Sequence, residues 1–176
     1  MKKTITLAAM FVLTMAGSAK AGGQDGAIGV GAEFGLDGET GGVSMNYDGG
    51  KFHFGGFLGF VDGGGNNDTD YTLGARFYYH LHSTAMSDFG LGGAIGFFSQ
   101  DGTGVMMTDR DSRVYIEPGF QIRAFVTSNV ALSFTAGITI GIVDAQGTSI
   151  GGPSLGGPGN GVSAVTGSAG VHYYFF

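Results

Sequence analysis

From Ala27 to the end of the chain, apolar side chains recur at every second position, and glycine, serine and threonine fill most of the positions between. That period is the side-chain period of a β-strand. Eight segments carry it: 27–36, 39–48, 51–61, 71–80, 89–99, 113–126, 130–143 and 162–176. In the first, Ile28, Val30, Ala32, Phe34 and Leu36 share one face against Gly29, Gly31, Glu33 and Gly35. In the sixth, Val114, Ile116, Phe120 and Ile122 oppose Arg113, Tyr115, Glu117, Gln121 and Arg123. The turn residues hold the phase. Asp37-Gly38 is a two-residue hairpin signal that pairs Leu36 with Glu39. Gly49-Gly50, read the same way, pairs Asp48 with Lys51 and sets Tyr47 beside Phe52.

The residues opposite the apolar face decide what kind of sheet this is. A soluble sandwich turns that second face to water and covers it with charge. Here charged residues are only 12% of the chain, glycine supplies 37 of 176 residues, and the second face is small. Such a face suits the inside of a closed barrel, and eight strands enclose a lumen that side chains can fill. The apolar face then points outward into hydrocarbon, where closure satisfies every backbone group. A ten-residue strand tilted about 40° spans roughly 25 Å, the height of a barrel's apolar band. After the first hairpin, the connections at 62–70, 100–112 and 144–161 are longer than those at 49–50, 81–88 and 127–129. Membrane barrels show this alternation, with long outer loops, short periplasmic turns and both termini inside.

Residues 1–21 read as a cleaved signal peptide: Lys2 and Lys3, an apolar stretch from Ile5 to Met15, then Ala19-Lys20-Ala21. The barrel domain is therefore 22–176. It keeps five Lys and Arg residues against 14 acids, a net charge of −9 that argues against nucleic acid as a partner. Cysteine is absent, which excludes disulfides and thiolate metal sites.

The chain ends Val171-His172-Tyr173-Tyr174-Phe175-Phe176. This ending resembles the last strand of the small eight-stranded bacterial outer-membrane barrels of the OmpA, OmpX and opacity-protein type. That strand closes on an aromatic with a second aromatic two residues earlier. Tyr174 and Phe176 match, and the resemblance implies that they form the signal read by the barrel-assembly machinery. It also implies an outward orientation for both, whereas the alternation places Val171, Tyr173 and Phe175 on the apolar face. The chain has no tryptophan, so Tyr47, Phe52, Tyr79, Phe89 and Tyr173 are expected to form the periplasmic aromatic girdle.

The expected lumen carries Glu33, Lys51, Arg76, Arg113, Glu117 and Arg123 as a charge network, with Glu117 and Arg123 on one strand as natural partners. His53 and His80 face inward on adjacent strands. They are weak metal candidates, because two histidines fall short of the three or four ligands zinc takes. His80-Leu81-His82-Ser83 invites comparison with outer-membrane lipid A deacylases, which place His-x-Ser on one strand face. Here Ser83 directly follows His82, so the two diverge, and no catalytic residue is assigned. Asp62, Asp68 and Asp70 lie in a glycine-rich loop of the outer set. Lipopolysaccharide is anionic, so Ca²⁺ or Mg²⁺ is the expected bridge to such loops. The expectation is a monomeric, non-enzymatic outer-membrane barrel with a structural or surface-interaction role and a plugged lumen. Paired interior charges favour the plug. Space left beside inward glycines favours the alternative, a narrow channel for small solutes. A lipid-modifying enzyme is the third class.

Overall fold

The computed structural model describes residues 25–36, 41–61, 70–101, 110–143, 149–150 and 165–175. The strands are β1 (Ala27–Gly35), β2 (Gly41–Asp48), β3 (Phe52–Val61), β4 (Asp70–Ser83), β5 (Ser87–Asp101), β6 (Arg110–Phe125), β7 (Val130–Ile138), β8 (Ile140–Val143), β9 (Ser149–Ile150) and β10 (Val165–Phe175). Every pairing is antiparallel, and β5 meets β6 to close the sheet. The seventh expected strand is broken at Thr139: β7 and β8 follow one another along β6, and among the described residues the short β9 pairs with β8 alone. The wall is thus an eight-stranded antiparallel barrel. First and last strands meet along Ile28↔Phe175 to Gly35↔Ser168.

Parity is as the alternation requires. Phe34, Met45 and Leu73, each more than half exposed, stand outside with Phe54, Ile95 and Ile138. Glu33, Arg76, Tyr115 and Arg123 are buried inside. Water does not tolerate a continuous wall of large apolar side chains, and hydrocarbon does. The five expected girdle residues all point outward at the end of the short turns. Tyr47 packs on Phe52 at 6.2 Å, and Phe52 on Phe77 at 6.1 Å.

One register departs from expectation. β1 and β2 pair as an Asp37-Gly38 hairpin requires, from Ala27↔Asp48 to Phe34↔Gly41, although residues 37–40 lie outside the described set. After β2, however, Asp48 faces His53 and Tyr47 faces Phe54. The turn is wider than Gly49-Gly50 because the Asp48 side chain organises it. Asp48 Oδ1 accepts the Gly50 N–H at 2.9 Å, and Gly49 N–H donates to Phe52 O at 2.9 Å. Gly50 adopts φ +72°, a left-handed conformation that glycine takes without strain. The slip is two residues, so every face is preserved.

Candidate functional site

The lumen is where this barrel concentrates its chemistry, and two ion clusters occupy it. In the first, Arg76 on β4 reaches across to Glu33 on β1, its Nη2 lying 2.7 and 2.8 Å from the two carboxylate oxygens. The guanidinium also lies over the Phe57 ring, 4.9 Å from its centroid. His172 on β10 joins through Nε2, 3.1 Å from Glu33 Oε1 and 2.7 Å from Ser44 Oγ, while its Nδ1 stands 3.3 Å from Ser133 Oγ.

The second cluster sits at the short-turn end around Arg123 on β6. Nη1 pairs with Asp48 on β2 and Nη2 with Asp88 on β5, both at 2.7 Å. Nη1 also donates to the Tyr174 hydroxyl at 3.0 Å, and His80 Nε2 lies 3.2 Å from Nη2. Arg123 is 1% exposed. Charges this deeply buried persist only when paired and hydrogen-bonded, and each guanidinium here is.

Several expected members are absent from these clusters. Lys51 is exposed, because the wide turn removes it from the strand whose alternation pointed it inward. Glu117 does not pair with Arg123. It faces the other half of the lumen, where Thr139 Oγ1 donates to its Oε2 at 3.0 Å and stands 3.2 Å from Thr166 Oγ1. Among the described residues no ion pair reaches it. An even spacing on one strand fixes a face, but Arg123 is taken by carboxylates of other strands at its own height. The Arg113 side chain lies outside the described residues, as do Asp62, Asp68, Phe176 and residues 1–21. Asp70 opens β4 opposite Val61.

The histidines are placed without a shared ligand position. His80 Nδ1 lies 2.8 Å from the Gly50 carbonyl, to which it donates, and Nε2 faces Arg123, so its ring has no lone pair to offer a metal. His53 is 1% exposed and stacks on Tyr78 at 6.5 Å.

Sequence reading missed Asp48, Asp88 and His172 as lumen partners. Asp48 ended the second expected strand and Asp88 closed an expected connection, yet each occupies an inward position at the end of a strand, and parity alone could have found them. His172 brings Glu33, Ser44 and Ser133 together, the residue types of a nucleophilic relay. Ser44 and Glu33 meet the same ring nitrogen, whereas a relay needs nucleophile and carboxylate on opposite ones. Ser133, on the other nitrogen, is buried in the wall. The cavity between Arg76 and Glu117 measures about 20 Å³, room for one water and not for an acyl substrate.

Inward glycines do not leave the lumen hollow. A Cβ at Gly29 would strike the Tyr174 ring, at Gly31 His172, at Gly74 Phe57 and at Gly96 Tyr115. Each of these four glycines seats a large side chain from a neighbouring strand.

A closed wall, apolar outside and ion-paired within, defines an eight-stranded transmembrane β-barrel. The N-terminal β-barrel domain of Pseudomonas aeruginosa OprF has the same fold, with a TM-score of 0.62 at 10% identity over 86% of this chain and 98% of that one. Neisserial surface protein A aligns at 19% identity over 85% and 94% of the two chains, TM-score 0.42. Ail, the attachment invasion locus protein of Yersinia pestis, aligns at 12% identity over 86% and 100%, TM-score 0.45. The sequence matches no protein-family model and no curated protein.

Proposed function

We propose that this protein is an integral barrel of the Gram-negative outer membrane, with a structural or surface-directed role, no enzymatic activity and a lumen closed to ions. Two ion clusters support this reading: Glu33–Arg76 and Asp48–Arg123–Asp88 reach into the interior from five strands. Fixed opposite charges in so narrow a space pair with each other rather than with a passing ion. The apolar exterior, the OprF-like fold and the signal-peptide pattern support the outer-membrane location. The acidic outer loops meet lipopolysaccharide through Ca²⁺ or Mg²⁺, and the barrel works as a monomer. Tyr174 points into the lumen once the barrel is folded, so reading of the terminal aromatics by the assembly machinery precedes closure. Planar-bilayer recording of the refolded chain tests the proposal. A silent bilayer is expected; steady conductance in the unmodified protein would promote the narrow-channel alternative.

A further inference from the structure

The lipid-facing wall is not uniform. On β3 and β4 the outward positions at mid-height are small, with Gly56 directly opposite Ala75 and the longer Met45 beside Gly56 on β2. Val43, Met45, Leu58 and Leu73 stand on either side, and together they bound a furrow of about 650 Å³ on the outer surface. A second depression of about 360 Å³ continues it past Ala75 to Gly93 on β5. The furrow is open space: a Cβ built at Gly56 would meet only the Gly74 carbonyl, at 3.8 Å. Lys51 stands exposed at the foot of the same strands, whereas Arg76 and Arg123 are engaged inside the lumen. It sits in the turn before β3, five residues from Gly56 and so at most about 16 Å below it. With strand tilt, that is roughly half the height of the apolar band.

We propose that this furrow holds one acyl chain of an anionic phospholipid from the leaflet on the short-turn side, with the headgroup phosphate on Lys51. The apolar walls take the chain. The lysine supplies a charge complementary to the phosphate, on a stem long enough to reach the headgroup layer. Tyr47 and Tyr79, outward in the girdle beside it, frame the headgroup with their hydroxyls. The proposal rests on the membrane-spanning reading and is independent of whether the lumen conducts.

Native mass spectrometry of the refolded full chain in detergent tests it, with dipalmitoyl phosphatidylglycerol, dipalmitoyl phosphatidylcholine and dihexanoyl phosphatidylglycerol as probes. The native barrel is expected to retain one long-chain phosphatidylglycerol roughly fivefold better than phosphatidylcholine, the weight of one surface cation on an anionic lipid. The six-carbon lipid should not be retained. Lys51→Gln should abolish the headgroup preference. Gly56→Leu, which fills the furrow without touching the wall, should lower retention of both long-chain lipids. Equal retention of the two headgroups by the native barrel, or undiminished retention by Gly56→Leu, overturns the proposal. So would barrel dimers that Gly56→Leu disperses, because they would assign the furrow to a second copy of the chain. Each sample is run boiled and unboiled on SDS gels; a native chain with no mobility shift would instead refute the barrel reading itself.

Discussion

Glu33 and Glu117 are both buried carboxylates on inward faces, yet their neighbours give them opposite worth. Glu33→Gln leaves the Arg76 guanidinium facing an amide beside a cavity that holds about one water. Breaking a buried pair from one side costs about 3–5 kcal/mol, because the remaining charge is stranded. Glu117→Gln strands nothing. The Thr139 hydroxyl can donate to the amide oxygen as it does to the carboxylate, and a buried carboxylate with no ion pair among the described residues is neutralised, so the net change stays within about 1 kcal/mol. Urea titration in lipid vesicles, scored by the fraction of fast-migrating barrel on unboiled gels, reads the difference. The chain has no tryptophan to follow by fluorescence. With a denaturant slope of about 2 kcal/mol per molar, the midpoint should fall by roughly 1.5–2.5 M for Glu33→Gln and by less than about 0.5 M for Glu117→Gln. The double variant Glu33→Gln/Arg76→Met should recover part of the loss. Equal shifts for the two single variants, or a larger one for Glu117→Gln, would refute the assignment of Arg76 to Glu33.

Four further outcomes follow from the same geometry. The expressed protein should fractionate with the outer membrane and migrate faster unboiled than boiled; recovery as a soluble periplasmic protein would contradict the lipid-facing wall. Leu73→Arg, on the exposed face at mid-wall, should cost about 2–4 kcal/mol in refolding titrations, and a neutral result would mean that β4 is inverted. Tyr174→Phe removes one hydrogen bond to a charged group and should cost about 1.5–3 kcal/mol, whereas Tyr173→Phe, outward on the girdle, should leave the midpoint unchanged. Gly31→Val should block refolding, because its side chain would overlap the Val171 carbonyl and the His172 ring; normal yields of folded barrel would show that the lumen has slack.

The faces of the strands were legible because lipid and lumen demand opposite chemistry, and a strand shows them alternately. Heights were not. Parity places Arg123 inside, but only the stagger of the closed sheet brings Asp48 and Asp88 to its level and carries Glu117 away. Lys51 shows the limit of extrapolation: its alternation was continued into a turn whose width depends on the Asp48 side chain. Thr139 shows another, since nothing in 130–143 marks the break between β7 and β8. Glycine was read as empty volume, although its role depends on the neighbouring strand, whose side chains fill it.

Arg123 is held by carboxylates on β2 and β5 and by a tyrosine on β10, and Glu33 on β1 is held by Arg76 on β4 and by His172 on β10. Both clusters therefore include the strand made last, and neither is complete until that strand meets the first. A sheet with this seam open exposes these three carboxylates and two guanidiniums to water, where they are well hydrated and gain little from one another. Zipping the seam dehydrates them together, at a cost that only the whole set of partners offsets. A half-zipped barrel bears the cost without the compensation, so it either reopens or finishes. The lumen charges thereby act as a ratchet on assembly, making closure, and unfolding through the same seam, a single concerted event.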